Sequence, residues 1–451
     1  MKITQQQLSS GNIRLREGTY TLPPDFSYDL LDKNLTITGV SGKTIITSYD
    51  GKPVNDFNPI KLDTTLPDNN PNGIYVVWKH PVYSYGGGQA HINLKGVYNT
   101  DNLDCWYTQG TILQKSNGIW KRYYTGYGFK TRGNVTIRNV IFDNCQFYLF
   151  SPFGQKATDS FTLENCVFRN VSRVISSMLY GGIVMDETWF TNLQCYPSDG
   201  TFRFNNFTIR YCIFEKIHTS IVWGFPPSYN TEITGNIIKN SETMIAGFNF
   251  FMKNYNDNLY FANNGLQIIR LNVFENIVTT NGWTTALIRT SGTSTISGNR
   301  FINNTLQVAF FYGKNSSFID NIVVNNTNSG MQSVILLNKA IEGGLYIGRN
   351  TIQAKNSILL ASEGKQLLCT INNNDIISKV VYSRNDSTDF TGEVLILNNR
   401  ITSQIIVNIG SFVPITFNKL EISDNTLSGV EYLRTGSNVQ IKNFIYNDSS
   451  N

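Results

Sequence analysis

The feature that most constrains the fold of this chain is a short motif that returns about every 25 residues along the sequence. An apolar anchor residue is followed five positions later by a second apolar residue, as in TISGNRFINNT at 295–305. Thirteen anchors of this kind are recognisable: Ile137, Leu163, Met185, Ile209, Ile233, Ile269, Ile296, Ile319, Ile347, Ile371, Ile396, Ile422 and Ile441. A fixed period of this length is typical of a solenoid, in which each repeat stacks on its neighbours.

Asparagine, which accounts for 55 of the 451 residues, occupies a fixed place in most repeats. It stands three residues after the anchor at Asn236, Asn272, Asn299, Asn350, Asn374, Asn399 and Asn425, and one place earlier in four other repeats, such as TIRNVIF. Asn tolerates the left-handed backbone of a tight turn. Its amide can also bond to the amides of the coils above and below, which satisfies a buried polar group. We therefore predict an architectural Asn ladder.

Each repeat has the pattern of a strand, a short turn, a second strand, a longer turn and a third strand. The segments FTIRYCIF and STISGNRF alternate and are rich in β-branched and aromatic residues, and SIVWGF and VAFFYG are examples of the third strand. Stacked coils of this kind form three parallel sheets with a coil spacing of about 4.8 Å. We divide the chain into an entry and first coil (1–49), an aromatic-rich insertion or set of irregular early coils (50–130), and a regular solenoid (131–451).

The repeat resembles the right-handed, single-stranded parallel β-helix of the pectin-lyase type. The matching segments are NVTIRNVIFDN, TEITGNIIKN, STISGNRFINN and GLYIGRNTIQ, and the resemblance covers roughly residues 130–446. It implies an all-β fold of about thirteen coils. The opening segment LREGTYTLPPDF looks like the entry to the β-helix of phage tailspikes and of polysaccharide-degrading enzymes. The motif specifies a fold and not a chemistry, since one fold serves many functions.

Charge and composition exclude several classes of function. Charged residues make up 15% of the chain, the net charge is +5, and no cluster of Lys and Arg favours nucleic-acid binding. No apolar run indicates a membrane span or a signal peptide, and six cysteines without a CxxC pair predict free thiols from a reducing compartment. Three His residues show no metal-ligand spacing, so we expect neither a metal nor a cofactor.

One column of residues could support catalysis. The residue after the anchor is expected to point outward, and in four consecutive repeats it is Arg138, Glu164, Asp186 and Arg210. Carboxylates of Glu164 and Asp186 one coil apart, at about 4.8 Å, would approach the roughly 5–5.5 Å separation found in retaining glycosidases. They are the candidate catalytic residues of a polysaccharide lyase or glycoside hydrolase. The competing interpretation is a solvated charge ladder in which the arginines neutralise the acids.

Aromatic residues are the candidates for contacts with sugar rings, because Trp and Tyr combine a flat apolar face with a polar tip. With Arg138 and Arg210, the candidate binding residues are Trp78, Trp106, Trp120, Trp223, Phe310, Tyr312 and Tyr382. The alternative is that many of these aromatics belong to the core or to a subunit interface.

These observations favour a polysaccharide-binding, tailspike-like virion or surface appendage, which binds or also depolymerises a host glycan. The resemblance implies a homotrimer that contacts other virion tail proteins, made in the host cytoplasm and located in the virion tail, or alternatively exported by a non-classical route. A free-standing polysaccharide lyase or glycoside hydrolase and a purely structural β-helix remain the two alternatives.

Overall fold

The computed structural model describes residues 1–21, 27–30, 34–47, 49–53, 74–78, 109–116, 119–126, 128–131, 133–144, 150–152, 159–176, 205–223, 230–241, 246–249, 265–278, 286–291, 293–305, 307–312, 315–326, 333–338, 343–362, 368–386, 390–411, 413–428 and 431–448. The fold is an all-β parallel solenoid, as predicted. Two compact units comprise residues 1–226 with 241–244, and residues 227–240 with 245–451.

The first unit begins with one helix and continues in strands. Its elements are α1 (Gln5–Ser10), β1 (Asn12–Arg14), β2 (Gly18–Thr21), β3 (Ser27–Leu30), β4 (Leu35–Thr38), β5 (Thr44–Thr47), β6 (Tyr49–Pro53), β7 (Ile74–Trp78), β8 (Gln109–Ser116), β9 (Ile119–Gly126), β10 (Gly128–Thr131), β11 (Val135–Arg138), β12 (Ile141–Asp143), β13 (Phe150–Pro152), β14 (Ser160–Glu164), β15 (Val167–Ser176), β16 (Asn206–Arg210) and β17 (Ile213–Trp223). Parallel pairing joins β1, β4, β11, β14 and β16 into one ladder, and β2, β5, β12, β15 and β17 into a second.

The predicted insertion at 50–130 contains a different kind of sheet. Strands β6, β9, β8 and β7 pair in that order and are antiparallel, in contrast to the parallel ladders. The chain returns to the parallel arrangement at β10, which pairs with β3 and β13. The described strands of this segment therefore pair differently from the parallel ladders.

The second unit consists of strands only, within its described residues. They are β18 (Asn230–Thr234), β19 (Ile237–Lys239), β20 (Ala246–Asn249), β21 (Leu266–Arg270), β22 (Val273–Glu275), β23 (Ala286–Ser291), β24 (Thr293–Ser297), β25 (Arg300–Ile302), β26 (Gln307–Tyr312), β27 (Ser316–Ile319), β28 (Ile322–Asn326), β29 (Ser333–Asn338), β30 (Gly344–Gly348), β31 (Thr351–Ala354), β32 (Ser357–Ser362), β33 (Leu368–Asn372), β34 (Asp375–Asp386), β35 (Phe390–Leu397), β36 (Arg400–Ser411), β37 (Ile415–Ser428), β38 (Glu431–Thr435), β39 (Val439–Ile441) and β40 (Phe444–Asp448). Each strand pairs in parallel with its equivalent in the neighbouring coil, which gives three ladders.

The core of each unit is a set of stacked apolar columns. In the first unit, the rings of Phe142, Phe168 and Phe214 stack with centroids 5.1 Å apart at each step, and Phe161 lies 4.9 Å from Phe207. In the second unit, Phe274 and Phe301 stack at 4.8 Å. These side chains are fully buried because strand residues alternate between the interior and the surface, and in-register pairing repeats the alternation in every coil.

The turn after each anchor uses two adjacent residues in different ways. The first has a left-handed backbone, as at Asn373 (φ 55°) and Asn398 (φ 53°). The second points inward. We predicted both roles for a single Asn, and the structure separates them. In the first unit, Asn139 and Asn165 occupy the left-handed position. The inward position of these coils carries an apolar residue instead of Asn, at Val140, Cys166 and Cys212.

The predicted Asn ladder is confirmed in the second unit. Its members are buried and joined side chain to side chain at 2.9–3.1 Å, in the order Asn236, Asn272, Asn299, Asn321, Asn350, Asn374, Asn399 and Asn425. Each backbone N–H from Asn236 to Asn399 also donates to the amide oxygen of the next member. The ladder therefore provides hydrogen-bond partners for these amides although they are buried in the core.

The number of coils and two anchors differ from the prediction. The regular part of the solenoid that carries the Asn ladder has about eight turns and not thirteen, and its eight ladder residues all lie in the second unit. Ile296 pairs with Phe318, so the anchor of that coil is Phe318 and not Ile319, and this shift brings Asn321 into the ladder. Ile422 pairs with Tyr446, so Ile441 is not an anchor either. Met185 lies outside the described residues.

Candidate functional site

A regular polar surface lies on the outward side of β1, β4, β11, β14 and β16 in the first unit. The inward positions of these strands are buried apolar residues, such as Val135 and Ile137, and the residues between them face solvent. In-register pairing builds two outward columns, one of Thr36, Thr136, Thr162 and Thr208, and one of Arg14, Thr38, Arg138, Glu164 and Arg210. We call these nine residues the arginine–threonine face.

The arginine–threonine face is cationic, with three arginines and one glutamate. Glu164 is shared by two arginines: Nε of Arg138 lies 2.8 Å from its Oε2, and Nη2 of Arg210 lies 2.8 Å from its Oε1. The side chains of Arg138 and Arg210 remain 48% and 40% exposed, against 24% for Glu164. The carboxylate is therefore held between two guanidinium groups that still present donors to solvent.

The strand register shows which residues neighbour Glu164. Strand β14 pairs directly with β16, so Glu164 is opposite Arg210, and Arg138 lies on its other side. Asp186 itself lies outside the described residues. Among the described strands, the register neighbours of Glu164 are therefore Arg138 and Arg210, as in a charge ladder, and the catalytic roles of Glu164 and Asp186 stay predictions.

The aromatic candidates are placed differently from one another. Phe310 and Tyr382 are 3% and 0% exposed, so their rings are enclosed in the second unit. Phe310 packs with Ala286 and Leu336, and the guanidinium carbon of Arg289 lies 5.2 Å from its ring centroid. Trp223, Tyr312, Trp78 and Trp120 are positions of β17, β26, β7 and β9, and Trp106 lies outside the described residues.

Other reactive groups are enclosed or dispersed. Cys166, Cys212 and Cys369 are buried thiols outside any disulfide, as predicted, and burial raises the pKa of the Cys212 thiol well above its ordinary value. Cys105, Cys145 and Cys195 lie outside the described residues. Within the described ranges, no group of three or more His, Cys, Asp and Glu could hold a metal ion. Nor is any helix there long and apolar enough to cross a membrane.

The residues of this face that the sequence reasoning missed are its five threonines and Arg14. The signal was present, since Thr precedes the anchor in VTIR, FTLE and FTIR, but Thr is also an ordinary strand residue. Comparison of the chain with protein-family models, curated proteins and solved structures finds no match. The case for a function therefore depends on the fold and on this face.

Proposed function

We propose that this protein binds a polysaccharide through the arginine–threonine face of its first unit. The observation that supports the proposal is the in-register array in which Thr hydroxyls repeat on four successive coils and Arg guanidinium groups on alternate coils. Hydroxyls donate and accept hydrogen bonds, and guanidinium groups donate to hydroxyl or carboxylate oxygens in a planar fork. A ligand that is itself a repeating chain can engage equivalent groups on several coils at once, which multiplies weak contacts.

The proposal also concerns where the protein is located and what it assembles with. A rigid solenoid with a glycan-binding side fits a tailspike-like appendage of a virion or a cell surface, which contacts its host through a surface polysaccharide. The resemblance of the repeat to the β-helix of phage tailspikes supports the virion location, the partner tail proteins and the homotrimer. Light scattering would test the number of chains in the assembly. A purely structural β-helix is the alternative with the same fold, and it predicts that no polysaccharide binds.

Depolymerisation is a separate question from binding. Both carboxylate oxygens of Glu164 accept charge-assisted bonds from arginines, so an acid or base role would require those bonds to break. Release of new reducing ends from a bound polysaccharide would identify a hydrolase or lyase, and the Glu164→Gln variant would then show whether Glu164 takes part.

The proposal predicts a loss of glycan binding when the face loses its cations. The double variant Arg138→Gln with Arg210→Gln removes two exposed guanidinium groups and leaves the buried anchors intact. If each contributes a charged hydrogen bond worth about 1.5–3 kcal/mol, the two losses together should lower the affinity at least about a hundredfold. The measurement is calorimetric titration with a panel of capsular and cell-surface polysaccharides, in buffers of matched salt.

The matched control is Arg349→Gln, which removes an exposed arginine that is paired with Asp320 in the second unit. It should bind the polysaccharide as the unaltered protein does. Thr162→Val, which keeps the branched shape and removes one hydroxyl, should give an intermediate loss. Equal affinity of the double variant and the control would contradict the assignment of the face, and no binding to any glycan would favour the structural alternative.

A further inference from the structure

Two buried cysteines occupy the same turn position in neighbouring coils of the first unit. Cys166 follows β14 and Cys212 follows β16, each two residues after the strand ends. Strand β14 pairs in register with β16 before the turn, and β15 pairs in register with β17 directly after it. Because the register is the same on both sides of the turn, Cys166 is stacked directly against Cys212.

Backbone hydrogen bonds hold the two turns together around this pair. The N–H of Asn165 donates to the carbonyl of Arg210 at 3.1 Å, and the N–H of Ile213 donates to the carbonyl of Cys166 at 2.9 Å. Neighbouring parallel strands lie about 4.8 Å apart, which is within the Cα separation of about 4.4–6.8 Å that a disulfide spans. The two backbones therefore already have the spacing of a disulfide cross-link.

The two thiols also lie against each other in the core. Both residues are 1% exposed, neither is in a disulfide, and their side chains hydrogen-bond to each other. Sγ of Cys166 also donates to the carbonyl of Glu164 at 3.3 Å, and Sγ of Cys212 donates to the equivalent carbonyl of Arg210 at 3.4 Å. Because equivalent bonds orient the two thiols in the same way, each sulfur has the other as its neighbour.

Within the described residues, this contact between thiols is specific to these two coils. The coil on the other side of Cys166 has Val140 at the same turn position. Cys369 is also buried, but it lies within β33, and its register neighbours are Leu345 and Val394. Of the described cysteines, only Cys166 and Cys212 therefore have a second thiol beside them.

We propose that Cys166 and Cys212 form a disulfide between neighbouring coils when the protein meets a peroxide. One thiol reduces hydrogen peroxide to water and becomes a sulfenic acid, and the second thiol attacks the sulfenic sulfur. The sulfur–sulfur bond forms as a second water molecule leaves, so two thiols and one peroxide give one disulfide and two waters. Because both thiols are enclosed, the reaction proceeds through local opening of the turn. The cross-link does not depend on polysaccharide binding.

The test is peptide mapping of the full chain after incubation with hydrogen peroxide under native conditions. The protein is then alkylated in denaturant and digested without reduction. We expect a cross-linked peptide that contains both Cys166 and Cys212 and is lighter by two hydrogen atoms than the two separate peptides, while Cys369 carries the alkyl label. Any product in which these two sulfurs are not linked to each other, whether alkylated, oxidised further or joined to another cysteine, would overturn the proposal.

Urea unfolding of the same samples provides a second measurement. The peroxide-treated protein should unfold at a higher urea concentration than the reduced protein, since a disulfide restricts the unfolded chain. A thiol reductant should reverse this shift, whereas it would not reverse methionine oxidation. Cys166→Val, a residue that the neighbouring coil already holds at Val140, should show no shift, and the matched control Cys369→Val should keep it. No shift in the unaltered protein, or a shift that persists in Cys166→Val, would contradict the cross-link.

Discussion

The Asn ladder allows a quantitative prediction for Asn374→Ala. Nδ2 of Asn374 donates to Oδ1 of Asn399 at 2.9 Å and to the carbonyls of Ile347 and Asn372 at 3.0 and 3.1 Å. Its Oδ1 accepts from the backbone N–H and from Nδ2 of Asn350, both at 2.9 Å. Alanine removes all five bonds from a residue that is 3% exposed.

The magnitude follows from the groups left without a partner. The backbone N–H of Asn350 and one of the two N–H groups on its Nδ2 lose their acceptor, while the other still donates to the carbonyl of Phe318 at 2.8 Å. Oδ1 of Asn399 keeps the backbone N–H of residue 374, also at 2.8 Å. A buried donor without an acceptor costs about 1–3 kcal/mol, so the variant should lose roughly 2–6 kcal/mol of unfolding free energy. A loss of this size is a large fraction of the stability of a typical domain.

The assay is urea unfolding followed by circular dichroism, together with hydrogen exchange at the amide of Asn350. The control is Asn372→Ala, since the Asn372 side chain accepts only a 3.3 Å bond from exposed Asn398, and its carbonyl is retained in alanine. The control should change stability by less than about 0.5 kcal/mol. If both variants lose the same free energy, or if the Asn350 amide stays protected in Asn374→Ala, the reasoning about the ladder is refuted.

Two further predictions concern other polar groups of the second unit. Both amide atoms of Gln267 are buried without a hydrogen-bond partner among the described residues, so Gln267→Leu should raise the unfolding free energy, by about 1–3 kcal/mol, in the same urea assay. Gln307→Leu should lower the unfolding free energy, since Nε2 of Gln307 donates to Oγ of Ser333 at 3.2 Å. A loss of stability in Gln267→Leu together with a gain in Gln307→Leu would contradict this prediction. Arg349 bonds both oxygens of Asp320 at 2.8 Å and lowers the pKa of that carboxyl. The pair therefore stabilises the fold above the carboxyl's ordinary pKa, and the contribution is lost as pH falls through the lowered value. Because the pair is half exposed, Arg349→Gln should lower the unfolding free energy only slightly near neutral pH and not at all in strong acid, and a difference that persists in acid would refute this.

The repeat period, the inward apolar positions and most of the Asn ladder followed from the sequence alone. In-register stacking gives every coil the same interior, so one local pattern repeated many times identifies the positions that are buried. Asn299 and Asn350 could be assigned to the ladder for this reason, before any contact between coils was known. The sequence likewise indicated that the motif specifies a fold and not an activity.

Only the tertiary structure decided which coils are neighbours. The segment between β15 and β16 has the length of a further repeat and contains an apolar anchor, Met185, yet β14 pairs directly with β16. Glu164 therefore has Arg210 as its register neighbour, because pairing between strands depends on backbone hydrogen bonds across coils and not on distance along the chain. The contact between Cys166 and Cys212 was equally hidden, since the sequence places them in repeats that are not consecutive. What brings them together is the direct pairing of β14 with β16, and that depends on the packing of the coils.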